Sequence, residues 1–134
     1  MPQLLALLGG LAFACCQWLI YVYAPEEATL GLIQKIFYIH LPLAWWALIS
    51  FFTVFLGSIA YLLRRAPGAD RLCAAAEVGV LLSGLALVTG MLWARKSWGV
   101  WWTWDPRLTT TLIMWFVYAG YLVLRGLAMR ATNR

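Results

Sequence analysis

The chain has 134 residues, 64% of them hydrophobic and only 11% charged, with a mean hydropathy of +0.81 and a net charge of +5. A soluble domain of this size turns roughly half its residues to water, and this composition leaves too little polar surface for that, which excludes the soluble class. The basic excess does not point to nucleic acid, because the Lys and Arg residues gather at the ends of apolar runs, where they set orientation in a membrane.

Four stretches nearly free of charge, 4–23, 43–63, 72–94 and 108–124, each approach the length needed to cross a hydrocarbon core of about 30 Å. A segment this long in lipid must satisfy its own backbone hydrogen bonds, so the spans are helical. The expected architecture is an all-α integral membrane protein with four transmembrane helices and a Trp-rich loop on its outer face, forming one domain over residues 1–134.

The first run opens Met-Pro-Gln, without the basic n-region of a signal peptide, and is expected to remain as the first span. Cys15, Cys16 and Cys73 match neither a zinc site nor a CxxC redox pair and read as inert. In the connector 24–42, residues Leu32, Ile33, Ile36, Phe37 and His40 fall at helical spacing. That pattern suits either a helix along the interface or an early start of span two, with Pro42 marking a kink or a fresh start. In the connector 64–71, Pro67-Gly68 is expected to end the second helix while the flanking arginines anchor it at headgroups. Glu77, near the start of span three, is expected to pair with Arg71 or Arg64. Gly57, Gly79, Gly84, Gly90 and Gly120 lie inside spans and would permit close helix contacts, but they form no GxxxG pair, so no specific role is assigned to them. Asp105-Pro106 predicts the start of the fourth helix, with Asp105 as N-cap and proline in the first helical position.

Connectors one and three are two crossings apart and therefore share a side of the membrane. The basic residues divide about six to four between the faces, which weakly favours cytoplasmic termini.

That shared face collects the candidate functional residues. His40 is the chain's single histidine. Residues 98–105 read Trp-Gly-Val-Trp-Trp-Thr-Trp-Asp, so that Trp98, Trp101, Trp102 and Trp104 crowd one short connector. Interfacial belts or core packing account for Trp18, Trp45, Trp46, Trp93 and Trp115, but the cluster exceeds what a belt requires. Four indoles form a platform for something flat, aromatic and partly apolar. Imidazole is a common axial ligand of haem iron, and haem has that shape, with two propionates at one edge. Arg107 is the candidate propionate partner, since guanidinium grips carboxylate in a bidentate fork. Asp105 would repel propionates directly and acts there only by orienting Arg107 or an indole N–H. Lys35, Arg95 and Lys96 add positive charge on the same face or serve as anchors.

The tract 98–109, Trp-Gly-Val-Trp-Trp-Thr-Trp-Asp-Pro-Arg-Leu-Thr, resembles the tryptophan-rich signature of the cytochrome c assembly superfamily. The segment 36–46, Ile-Phe-Tyr-Ile-His-Leu-Pro-Leu-Ala-Trp-Trp, resembles the stretch bearing that superfamily's first haem-ligand histidine. Together they are most similar to the haem exporter protein C branch, over essentially the whole chain. The resemblance implies a non-enzymatic carrier in the bacterial inner membrane that binds haem b at its periplasmic face and presents it to a periplasmic haem chaperone. It further implies His40 as axial iron ligand, a cradle of Trp98, Gly99, Trp101, Trp102, Trp104, Asp105 and Arg107, ABC transporter subunits as partners, and a small single-span subunit. The family has six spans and a second histidine after the fourth, whereas this chain stops just past its fourth span with one histidine. The chain is then a truncated piece, a protein completed by a second chain or copy, or one that has lost the activity. A non-haem membrane scaffold remains the alternative class, and a headgroup transferase using Asp105 as base is a weaker third.

Overall fold

The computed structural model describes residues 1–64 and 69–132. Helix α1 (Pro2–Trp18) passes into a π-helical turn (Leu19–Tyr23); α2 covers Gln34–Arg64, α3 Ala69–Trp98 and α4 Pro106–Thr132. All four are long and apolar enough to cross a membrane, over Pro2–Tyr23, Gln34–Leu63, Ala74–Trp98 and Pro106–Ala131. The chain is a multi-pass membrane protein. Large apolar side chains such as Leu8, Phe55, Leu81 and Phe116 stand exposed along the helices, as a surface solvated by lipid tails requires.

Span two is the early-start alternative. Helix α2 begins at Gln34 and runs unbroken through Pro42, so His40 lies on a transmembrane helix and not on an interfacial one. Pro42 deprives only the Tyr38 carbonyl of its helical partner, a loss that membrane helices tolerate. Helix α3 likewise outruns its expected end, and Arg95 and Lys96 stand on its last turn. The expected Pro67-Gly68 turn lies outside the described residues, as do the side chains of Arg64, Arg71 and Cys73.

Helix α3 is central, packing along α2 and, over a shorter stretch, against α4. Its face toward the partners is built of small residues, with Ala76, Ser83, Ala86 and Ala94 all buried. Without a hydrophobic drive between helices in lipid, such a face works by letting backbones approach and disperse against one another. Gly79 is the closest case among the α3 glycines: a Cβ there would stand 2.8 Å from the Phe51 ring of α2. The Ser83 hydroxyl donates to the Gly79 carbonyl at 2.6 Å, so its burial leaves no unsatisfied donor.

Helix α4 is pinned at two points. The Trp115 indole N–H donates to the Val80 carbonyl of α3 at 3.0 Å. Tyr118 stacks on Phe51 of α2 with ring centroids 4.2 Å apart, and its hydroxyl donates to the Phe51 carbonyl at 3.4 Å. Helix α1 has no buried residue and meets α2 only through its π-helical end. There Lys35, 4% exposed, donates from Nζ to the Tyr21 carbonyl at 3.0 Å. A cation at the C-terminal end of a helix meets carbonyls that lack intrahelical partners. Lys35 is thus engaged inside the protein and adds no charge to the loop surface.

A cavity at the loop end as the candidate functional site

Between α2 and α4, with α3 as its back wall, lies a cavity of about 500 Å³. That volume falls in the ordinary range for small-molecule and cofactor sites. Its deepest lining residues on the flanking helices are Leu48 and Met114, one turn short of the Phe51–Tyr118 stack that closes the space below. The other end opens at the 99–105 loop, so residues from the first and third connectors' side of the membrane converge on it.

His40 enters from α2, and its Nδ1 lies 3.0 Å from the Thr89 hydroxyl of α3. From α3, Trp93 and Trp98 line the wall, their rings edge to face at 5.3 Å. Phe37 extends this aromatic wall toward α2, 6.4 Å from Trp93. The Trp93 indole N–H is buried and unpartnered among the described residues, a state that costs about 1–3 kcal/mol until an acceptor arrives.

The loop is shaped by its two ends. Gly99 takes φ +77, the left-handed conformation that ends α3, and a Cβ there would meet nothing within 4 Å. Arg95 donates to the Gly99 carbonyl, and its guanidinium lies 5.8 Å from the centre of the Trp101 ring, a cation–π distance. At the far end Asp105 caps α4 as its sequence predicts. The Leu108 N–H donates to Oδ1 at 3.0 Å and the Thr103 hydroxyl to Oδ2 at 3.0 Å. The Leu108 N–H above all holds the Asp105 carboxyl below the usual carboxylate range; burial opposes it, and Thr103 and Arg107 add to the lowering. Arg107 sits 3.9 Å from the same carboxylate with its side chain 83% exposed. A contact that long and that wet contributes little. The guanidinium remains free to grip a carboxylate brought to the mouth.

The structure therefore gathers His40, Trp98, Trp101, Asp105 and Arg107 around one space. It does not gather the whole loop. Trp102 and Trp104, edge to face at 5.6 Å, line a second, apolar hollow of about 390 Å³ between α3 and α4, together with Trp115. Gly99 lines neither space and acts on the loop through its torsion. Three residues escaped the sequence reading: Trp93, set aside there as belt or core, and the Thr89–Gly90 pair against His40. The available signal was positional, since Gly90, Trp93 and Ala94 recur at helical spacing on the face of α3 that ends at Trp98.

Four long apolar helices, with one imidazole and a tryptophan-walled cavity at a common end, define a multi-pass membrane protein. Comparison with known families makes this specific. The model of the family described as "Heme exporter protein C" matches residues 1–133, and the chain belongs to that family. It is similar to the "Heme exporter protein C" of Rhodobacter capsulatus, 36% identical over 121 residues, covering 90% of this chain and 48% of the relative. The Paracoccus denitrificans protein of the same name is 40% identical over 101 residues, covering 75% of this chain and 42% of the relative. The Escherichia coli K12 protein is 34% identical over 118 residues, covering 83% and 48%. The chain thus spans about half the length of the curated relatives it matches.

Proposed function

We propose that this chain handles haem as cargo in cytochrome c biogenesis, holding it in the loop-end cavity through His40 and presenting it at the periplasmic face of the inner membrane. The observation that carries this reading is the convergence of His40, Trp98, Trp101 and Arg107 on a single space of about 500 Å³. The donor set suits a porphyrin-bound iron. Porphyrin already supplies four equatorial nitrogens, so one imidazole is enough to engage the metal. Among the described residues no three His, Cys, Asp or Glu side chains gather as a bare ion would need.

The chain's own residues divide the work. Trp98, Trp101 and Trp93 supply flat apolar walls, and the unpartnered Trp93 N–H offers a donor. Arg107 pairs with a propionate at the mouth, with Asp105 holding the start of α4 in place beneath it. Binding and release require no covalent chemistry from these side chains. The proposal further takes haem b as the form carried, a periplasmic haem chaperone as recipient, and ABC transporter subunits and a small single-span subunit as partners. The second histidine that the family resemblance implies would come from another segment or a second chain or copy, since this sequence has one histidine.

The test is haem content. Purified through a histidine-free tag, the protein is expected to give a pyridine haemochrome spectrum, and His40→Ala to lower haem per protein about tenfold or more, the scale of losing a direct ligand. Equal haem content in the two proteins would remove the ligand assignment. The second hollow favours one other reading for part of the loop, a docking surface formed by Trp102 and Trp104. Under the scaffold alternative, no haem co-purifies, and Trp104→Ala loses a transporter subunit in pull-down.

A further inference from the structure

The His40 ring is seated by two consecutive residues of α3. Its Nδ1 lies 3.0 Å from the Thr89 hydroxyl oxygen. That same oxygen lies 2.9 Å from the Leu85 carbonyl and 3.1 Å from the Ala86 carbonyl, one and nearly one turn back along α3. A threonine hydroxyl has one proton and two lone pairs, and carbonyls only accept. Back-donation to the preceding turn is the ordinary habit of threonine in a helix, and in lipid it meets no competing water. With its proton directed to the carbonyls, the hydroxyl is left to accept from the ring, so Nδ1 carries the hydrogen.

Neutral imidazole has a single N–H. With that hydrogen on Nδ1, Nε2 is left bare, with its lone pair in the ring plane. The adjacent residue sets where that plane lies. A Cβ on Gly90 would stand 3.1 Å from His40 Cε1, tighter than ordinary side-chain contact, and 3.6 Å from Nδ1. The imidazole therefore rests against bare backbone at Gly90 while Thr89 holds its edge.

We infer that Thr89 and Gly90 form a seat that fixes His40 in the Nδ1–H tautomer and offers Nε2 as the open donor in the cavity. They are positioning residues, acting through His40. The consequence for haem rests on the function proposed above; the tautomer itself does not. Partners of this kind raise the basicity of a ligating imidazole and fix its ring, and their loss typically costs 10–100-fold in metal affinity.

Because His40 is the chain's only histidine, labelling histidine with ¹⁵N and using a histidine-free tag reports one ring. In the haem-free protein in lipid nanodiscs, solid-state NMR is expected to show one protonated nitrogen, assigned to Nδ1 through its couplings, and one bare nitrogen at Nε2. Thr89→Val, nearly isosteric, is expected to yield a mixture of tautomers and to weaken haem binding about tenfold; Thr89→Ser restores both. Gly90→Ala keeps the tautomer and weakens haem binding by displacing the ring. A wild-type spectrum with the proton on Nε2, or a Thr89→Val spectrum identical to wild type, overturns the seat. A wild-type Nδ1–H spectrum that Thr89→Val disturbs and Thr89→Ser restores, in a protein whose haem content is indifferent to His40→Ala, sustains the seat and defeats the haem assignment instead.

Discussion

The two ends of the α2–α3–α4 assembly are built on the same helices and packed in opposite ways. Toward the far end, Phe51 of α2 and Tyr118 of α4 stack at 4.2 Å, and Phe51 reaches in over Gly79. Toward the loop, the facing positions are Ala44 on α2 and Thr111 on α4, and the cavity remains between them. Helix spacing alone does not hold the site open. Side-chain size at facing positions differs between the ends, with the aromatic stack filling one and Ala44 and Thr111 lining the cavity at the other.

Removing the closed end should have the largest effect on stability. Phe51→Ala deletes both the stack and the ring over Gly79, and is expected to destabilise by about 3 kcal/mol, the lower range for buried Phe truncation. The check is thermal unfolding in detergent at fixed lipid content. A melting temperature equal to wild type would mean that α2 and α4 are held by something other than this pair.

Filling the open end should act on the ligand instead. Ala44→Trp places an indole in the cavity and is expected to reduce haem content about tenfold, equivalent to 1.4 kcal/mol of binding, while the melting temperature stays near wild type. If haem content is unchanged, the ligand sits elsewhere.

The smallest change separates the charge of Asp105 from its cap. Asparagine caps about as well as aspartate, so Asp105→Asn is expected to change stability by a few tenths of a kcal/mol. The sign of the pH effect follows from the lowered Asp105 pKa. Its contribution is fully present above the unfolded value of about 4 and is lost as pH falls through the lower folded value. In Asp105→Asn that acid-side loss disappears. A wild-type unfolding profile with no acid-side difference from the variant would show that the cap draws nothing from the charge.

How much of this was legible in the sequence depends on range along the chain. The four spans were legible because hydrocarbon thickness converts directly into run length. The start of α4 was legible because Asp105 and Pro106 act on the next turn only. The extent of α2 was undecided, since Pro42 is compatible with a break in water and with continuity in lipid. The role of the α3 glycines was not legible by counting GxxxG pairs: Ser83, Ala86 and Ala94 alternate with Gly79 and Gly90 in a stripe equally narrow. At the site, the meeting of His40 with the loop followed from counting crossings. Its seat did not, because Thr89 lies 49 residues away and nothing local marks the contact. The division of the tryptophans between two hollows was equally hidden, for a run of indoles does not state which way each ring turns.

One backbone torsion stands between the two loop tryptophans that share the His40 chamber. At Gly99 the chain reverses hand, so Trp98, the last residue of a helix, and Trp101, two residues past the reversal, open onto the same chamber. Nothing crowds that position, and what a side chain there would disturb is chirality, not volume. The loop's aromatic display can therefore be re-aimed without altering a single aromatic residue.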